Sequence, residues 1–329
     1  MLHNEQGILE KGTKMKKSDI NLREKLFKLF NIRVVLMLDN IRARITFDDI
    51  LKFKQKRWSI DIENPKTFDD KLWYMKKHFY SPLAVKCADK VQVRAYVKEC
   101  GLEKILVPIY GIYDRVEDID FSNISDKAYI KCNHSSGSNY LYRKNQTDEK
   151  WLKKLFGLYL KRNYYNESKE WVYKNIEPKI IIEKELVSEE PLRDYRMFCF
   201  DGEVKVVMVN VGTATENGEH AKNVFRSFYT PHFEQIKDLT ILGDEAASKG
   251  LTKPKSWNEM VDIAQKLSKP FAFCRVDLYN IDGKIYLSEM TFFPNAGTNN
   301  FQPQEWALRL GSWIDLEKCR NNLTYEYHD

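Results

Sequence analysis

Several features are absent from these 329 residues, and each absence narrows what the chain can do. No apolar run approaches the roughly 20 residues that a membrane-spanning helix needs. The start, Met1-Leu2-His3-Asn4-Glu5, lacks the basic-then-apolar pattern of a secretory signal, so a cytoplasmic protein is expected. Six cysteines (Cys87, Cys100, Cys132, Cys199, Cys274, Cys319) occur without a C-x-x-C pair, which argues for reduced thiols and against a zinc site. There is no G-x-x-x-x-G-K phosphate loop, no Ser/His/Asp or Cys/His constellation, no internal repeat and no low-complexity tract. Strong charge of one sign is also missing. A net charge of +6 suits anionic substrates such as nucleotides or sugar acids, and gives no reason to expect a nucleic-acid partner.

What is present reads as a soluble globular chain with 43% hydrophobic and 30% charged residues, long enough for two or three domains. Residues 1 to about 20 are polar and Lys-rich and are expected to fray. Asn21 to Phe30 has helical apolar spacing with Asn21 as an N-cap, and Val34 to Leu38 continues it. Two readings of this basic amphipathic region are open: packing on the chain's own core, or peripheral contact with a membrane surface or partner. Thr67 caps a second helix through Met75. Cys87 to Val97 reads as a third, with Asp89 as its N-cap. Lys90 then sits where a helix macrodipole disfavours a cation; a bound polyphosphate would remove that conflict, and a solvated lysine is the plain alternative.

Leu106 to Tyr113 reads as a strand, followed by Asp118-Ile119-Asp120. A D-x-D pair can hold the metal of a nucleotide-sugar glycosyltransferase, or be a solvated turn. Lys127 to Cys132 is a strand that enters the polar loop Asn133-His134-Ser135-Ser136-Gly137-Ser138-Asn139 and returns through Tyr140-Leu141-Tyr142. Such a loop can present backbone N–H groups to phosphate oxygens, or be an ordinary hairpin turn. Lys131 at its root adds a point charge. Trp151 to Arg162 is an amphipathic helix. Lys179 to Val187 is a buried strand that turns polar, where a planar base could rest on Ile182 or Leu186. A hairpin follows, Asp194 to Phe200 and Glu203 to Asn210 around Asp201-Gly202, with Asp194 and Arg196 on one face. Val211 to Asn223 is expected to be a mobile loop, Phe225 to Tyr229 a strand, and Ser256 the cap of a helix through Leu267. Trp306 to Ile314 is helical.

The richest stretch is Phe273 to Pro294, two alternating strands around Asn280-Ile281-Asp282-Gly283. Read as a type I turn with a bulge, it pairs Asn280 with Lys284, Asp277 with Leu287 and Arg275 with Glu289. Asp277 and Glu289 are then diagonal neighbours on one face, about 7–8 Å apart at the backbone. A two-residue Asp-Gly loop would put them on opposite faces. Two carboxylates on one face can share Mg²⁺ with substrate phosphates, or be solvated charges on an open sheet.

Taken in order, N-P-K-T-F-D-D-K-L-W, A-D-K-V-Q-V-R-A-Y-V, Y-I-K-C-N-H-S-S-G, I-I-E-K-E-L, D-Y-R-M-F-C-F-D-G and R-V-D-L-Y-N-I-D-G-K-I-Y-L-S-E-M-T-F-F-P resemble the TupA-like ATP-grasp family of teichuronopeptide and capsule-type clusters, over roughly residues 64 to 316. The resemblance implies an α+β ATP-grasp fold, two lobes with antiparallel sheets clamping ATP. It divides the chain into a helical extension (1–63), an N-terminal subdomain (64–125), a central lobe (126–190) and a C-terminal lobe (191–329). It implies that Lys90 and Lys131 bind ATP phosphates, and that Ser135, Ser136, Gly137 and Ser138 close over them. Glu183, Lys184 and Leu186 would hold adenine, and Asp194 would lie near the ribose. Asp277 and Glu289 would carry Mg²⁺, while Arg275, Arg226 and Arg196 meet the acyl phosphate or acceptor. Thr291 stands where such ligases usually place a metal-binding Asn, which bears on a second metal.

The activity so implied is ATP- and Mg²⁺-dependent ligation of a carboxylate to an amine through an acyl phosphate. The substrates would be a sugar acid, or a nucleotide- or lipid-linked sugar, and an amine or amino acid for surface polysaccharide. A phosphotransferase acting on a sugar, a glycosyltransferase and a non-catalytic nucleotide-binding scaffold are the competing readings.

Overall fold

The computed structural model describes residues 17–188, 192–212, 225–242 and 251–328, with side chains from Glu24 onward. The frayed start expected over residues 1 to 20 and the mobile loop expected at 211–223 lie mostly outside these residues. Two antiparallel sheets organise the chain. The larger has the order Lys284–Thr291, Phe273–Ile281, Arg193–Phe200, Glu203–Val211, Phe225–Tyr229, Gln235–Ile236. The smaller has the order Ile109–Tyr113, Ile180–Lys184, Lys127–Cys132, Asn139–Arg143. Together with the helices they give the α+β class expected.

Alternation along two central strands of the larger sheet explains how one face serves both core and cleft. Phe273, Arg275, Asp277 and Tyr279 share that face with Phe200, Phe198, Arg196 and Asp194 of the paired strand. The phenylalanine end packs against Phe68, whose ring lies 4.9 Å from Phe273 and 6.1 Å from Phe200. The polar end is left to the cleft. Phe68 opens the Phe68–His78 helix, which Thr67 starts with a capping box to Asp70, as the sequence suggests. The opposite face carries Tyr195, Met197 and Cys199 and is covered by Trp257–Ser268. Ser256 stands at the N-cap of that helix but makes no capping bond; its hydroxyl meets the Asn280 amide instead.

The smaller sheet packs on Glu149–Tyr159, which buries Trp151, Leu152, Leu155 and Phe156. Behind it lies a helix of Lys17–Arg42 that adds Leu29 and Ile32 to the same core. Trp151 Nε1 donates to the Lys25 carbonyl at 3.2 Å, and Lys25 pairs with Asp148 at 3.2 Å. Asn21 is therefore inside this helix and not its cap. The self-packing reading holds for one side of the helix, while Leu26, Phe27, Phe30, Met37 and Ile41 remain exposed on the other. Among the described residues no helix is long and apolar enough to cross a membrane.

The helix expected over Cys87 to Val97 is two helices, Pro82–Ala88 and Val93–Glu99. Asp89 sits in the break, where its carboxylate accepts from the backbone N–H of Val91 at 2.8 Å and Gln92 at 3.3 Å. Lys90 therefore belongs to a tight turn, which places it against the Asn133–Asn139 loop of the smaller sheet.

Candidate active site

The hairpin brings its two carboxylates together by a different route from the one the turn chemistry suggests. Asp282 and Gly283 both have positive φ, 52° and 85°, so the loop has two residues and Ile281 pairs with Lys284. That corrects the expected three-residue loop, and alone it would set Asp277 and Glu289 on opposite faces. A bulge beside Asp277 restores them: Leu278 pairs with Leu287, Ser288 is passed over, and Asp277 pairs directly with Glu289. Arg275 is opposite Thr291, not Glu289.

Guanidinium groups hold these acids in place. Arg275 grips Asp277 with two bonds, Nε to Oδ1 at 2.7 Å and a terminal nitrogen to Oδ2 at 2.6 Å. The same terminal nitrogen lies 3.3 Å from Glu289 Oε1 and 3.2 Å from the Thr291 hydroxyl, which itself donates to Glu289 at 3.1 Å. Arg196 pairs with Asp194 at 2.7 Å and stands 3.7 Å from Asp277. Burial raises the Glu289 carboxyl, but Lys90, Arg275 and Arg196 outweigh it and bring the group down to about 2. Burial pushes Asp277 upward against the pull of Arg275 and Arg196.

The facing wall supplies ammonium groups. Lys131 is pulled down by burial and raised above its ordinary value by Glu183, which it meets at 2.6 Å. Lys90 is only half-buried by its surroundings' surface but well packed: burial lowers it, Glu289 raises it and Lys131 lowers it, with a net fall. Its ammonium donates to the Ser135 carbonyl at 3.0 Å. The loop is closed by Cys132 N–H to the Ser138 carbonyl at 3.0 Å and by the Ser135 and Ser138 hydroxyls at 2.7 Å. Its tip, Ser136 and Gly137, is exposed.

Between the walls lies a cleft of about 380 Å³. Lys90, Lys131, Ser135, Ser136, Gly137 and Ser138 line it from the loop side. Glu183, Lys184 and Leu186 line it where the Ile180–Lys184 strand runs out. Asp194, Arg196, Arg226, Asp277 and Glu289 line it from the larger sheet. Of the expected site residues, Arg275 and Thr291 are not in the lining; both sit directly behind Glu289. Asp118 and Asp120 are elsewhere, in an exposed turn where Asp118 pairs with Arg115 and Asp120 accepts from Ser122 and Asn123. The D-x-D pair is the solvated turn.

Several residues at or beside the cleft escaped the sequence reading, among them Asn210, Tyr279 and Asn133. Asn210 lines the cleft, 1% exposed, and the signal was one amide inside the apolar run Val206-Val207-Met208-Val209-Asn210-Val211. Tyr279 continues the alternation of Arg275 and Asp277 into the cleft. Asn133 ties the Lys90 turn to the root of the Ser/Gly loop: its amide donates to Asp89 and to the Glu177 carbonyl, each at 3.0 Å, and accepts from Lys179 N–H at 2.7 Å.

Asp277, Glu289 and Thr291 offer only oxygen donors, the set a hard cation takes. Among the described residues no three His, Cys, Asp or Glu side chains gather as a self-sufficient metal cage. Two adjacent carboxylates completed by substrate phosphates fit Mg²⁺, which rarely uses all-protein cages.

Two lobes facing each other across this cleft, one with a basic-rooted Ser/Gly loop and the other with an acidic edge hairpin, define the ATP-grasp class of ATP-dependent ligases. The sequence matches the model of the TupA-like ATPgrasp family over residues 70–315, most of its length, and the chain belongs to that family. Among solved structures it is similar to D-alanine–D-alanine ligase from Bacillus anthracis (16% identity, 71% of this chain and 68% of that one, TM-score 0.41). It is also similar to L-amino acid ligase from Bacillus licheniformis (14%, 65% and 44%, TM-score 0.41) and to D-alanine–D-alanine ligase from Helicobacter pylori (17%, 70% and 61%, TM-score 0.37). No curated protein sequence matches the chain significantly.

Proposed function

We propose that the protein uses ATP and Mg²⁺ to join a carboxylate to an amine, with a sugar acid as the carboxylate and an amine or amino acid as acceptor, in the cytoplasmic assembly of surface polysaccharide. The observation that carries this reading is the convergence of Lys90, Lys131, Asp277 and Glu289 on one cleft of about 380 Å³. Lys90 and Lys131 bind the phosphates, and the Ser135–Ser138 loop donates N–H groups to their oxygens. Glu183, Lys184 and Leu186 take the adenine. Asp277 and Glu289 would hold Mg²⁺, which when bound would neutralise phosphate charge, with the Thr291 hydroxyl fixing Glu289 from behind. Arg196 orients the carboxylate against the γ-phosphorus, while Arg275 fixes Asp277 and Glu289 from behind.

The chemistry balances without a covalent enzyme intermediate. A carboxylate oxygen forms a bond to the γ-phosphorus as the bond to the β-bridging oxygen breaks, releasing ADP. The amine nitrogen then bonds the acyl carbon, phosphate leaves with the acyl C–O electron pair, and the amine proton goes to solvent or phosphate. Fixed cations stabilise the transferring group, the main form of protein assistance in phosphoryl transfer. Burial keeps water from the acyl phosphate.

Coupled release of ADP and phosphate tests the reading. Both products should appear only when a carboxylate and an amine are supplied together. A phosphorylated sugar formed without an amine would indicate a phosphotransferase, and transfer from a nucleotide sugar without ATP would indicate a glycosyltransferase.

A further inference from the structure

The Lys17–Arg42 helix carries two apolar faces, and one of them has a core. Leu29 and Ile32 pack on Glu149–Tyr159. On the far side Leu26, Phe27, Phe30, Met37 and Ile41 are each more than half exposed. At the pitch of an α-helix these five positions fall within about a third of the circumference and run about 22 Å from first to last. Half-buried Val34 fills the gap between Phe30 and Met37, so the stripe is continuous. Single exposed apolar residues are ordinary on a protein surface; a stripe of this length along one helix marks a contact.

Charge decides the kind of contact. Residues 17–58 hold eleven Lys and Arg against five Asp and Glu, a surplus equal to the +6 of the whole chain. Arg33 on the margin of the stripe and Arg44 just past its end are exposed, and neither forms an ion pair among the described residues. Glu24, the exposed carboxylate described on this helix, is taken by Lys28 at 3.7 Å. Two helices paired along this stripe would therefore bring arginine toward arginine, with no unpaired carboxylate among the described side chains of that face to offset it. That disfavours a second copy of the chain. An anionic bilayer supplies what the face lacks, an apolar layer for the stripe and negative headgroups for its margin. Among the described residues no helix can cross a membrane, so the helix would lie in the plane of the headgroups. Its inner face already holds it folded, so binding carries no cost of forming it.

The helix is also tied to the cleft. Arg42 and Arg162 both hold Glu167, at 2.8 and 2.9 Å, and Arg162 donates to the Ser136 carbonyl at 3.2 Å. A surface that holds the helix thus holds the wall that carries the Ser/Gly loop.

We infer that the outer face of the Lys17–Arg42 helix docks the protein on an anionic lipid bilayer, with the apolar stripe at the boundary of headgroups and acyl chains and with Arg33 and Arg44 on the headgroups.

Co-sedimentation of the full chain with vesicles tests this. Vesicles of equal parts phosphatidylcholine and phosphatidylglycerol should bind it on the order of tenfold more tightly than phosphatidylcholine alone, at about 0.1 M salt. Phe27→Gln with Phe30→Gln should weaken that binding by about tenfold. Arg33→Glu with Arg44→Glu should remove the preference for the anionic vesicles, and carries the test independently of any change in packing at the phenylalanines. Melting temperature and the calorimetric affinity for ADP with Mg²⁺ should match the wild type in both variants. Absence of binding to the anionic vesicles overturns the inference and leaves the ligase reading standing. So does binding that survives Phe27→Gln with Phe30→Gln, which would assign it to basic charge elsewhere. A wild type that sediments as a dimer, and becomes a monomer in that variant, would give the face to a second copy and overturn the inference as well.

Discussion

The two walls of the cleft carry opposite formal charge and hold it in opposite ways. On the larger sheet each cleft carboxylate has a guanidinium beside it: Asp277 is gripped twice by Arg275, Glu289 touches Arg275 and Thr291, and Asp194 is paired with Arg196. These groups stand on adjacent central strands, and Asp277 is 1% exposed. On the facing wall, Lys131 has Glu183, but among the described residues the ammonium of Lys90 is bonded only to a backbone carbonyl of the loop it braces. The acidic wall is preorganised by its own guanidiniums, whereas the basic wall carries a cation that the fold holds at a cost. Such an arrangement favours a polyanion on one side and a cation it brings with it on the other.

Replacing Glu289 should break the comparison most completely. Glu289→Gln is expected to lower ATP turnover by roughly two orders of magnitude or more, measured as ADP release, with the circular dichroism spectrum unchanged. Lys90→Met should follow, weakening nucleotide binding by about tenfold. Because burial already disfavours the charged form of Lys90, the variant's melting temperature without nucleotide should stay level or rise. A fall in both would mean that Lys90 is a structural residue.

Two glycines separate the walls more finely. Gly137 at the loop tip and Gly283 at the hairpin tip have φ of 76° and 85°, and neither would bring a Cβ within 4 Å of another group. Alanine at either position therefore carries backbone strain alone, roughly 1–2 kcal/mol. Gly283→Ala should show it as a lower melting temperature with nucleotide affinity intact. Gly137→Ala should show it in turnover and nucleotide affinity.

The smallest effect lies outside both walls. Burial raises Glu170 to about 7 against the pull of Lys76, with Ser168 bonded to it and Glu289 and Arg275 acting from farther away. The folded state then keeps a proton that the unfolded chain releases near 4.5. Stability from this group is present below about 4.5 and is lost as pH rises through about 7. Denaturation midpoints of Glu170→Gln should lack that decline between the two values.

Much of this was legible in the sequence because alternation and turn chemistry are local. The Lys127–Cys132 and Phe225–Tyr229 strands, the Asp201-Gly202 turn and the Thr67 cap each follow from a few adjacent residues. The Phe273–Thr291 hairpin shows where locality ends. Asp282-Gly283 selects a two-residue loop, and the bulge at Ser288 that returns Glu289 to the face of Asp277 lies four residues past Lys284, where the turn chemistry does not mark it. Asn21 was misplaced because the helix continues past a capping residue once Leu29 and Ile32 find a core on Glu149–Tyr159. Asn210 was visible only as a polar residue in an apolar run. Its place between Asp194 and Arg226 needs the order of the strands.

The most direct measurement of the central claim is the linkage between metal and nucleotide at Glu289. ADP affinity is measured by calorimetry with and without Mg²⁺ in wild type and in Glu289→Gln. If Glu289 and the two lysines hold the same metal-bound nucleotide, Mg²⁺ tightens ADP in the wild type and has little effect in the variant. Equal tightening in both proteins would place the metal elsewhere and contradict the account.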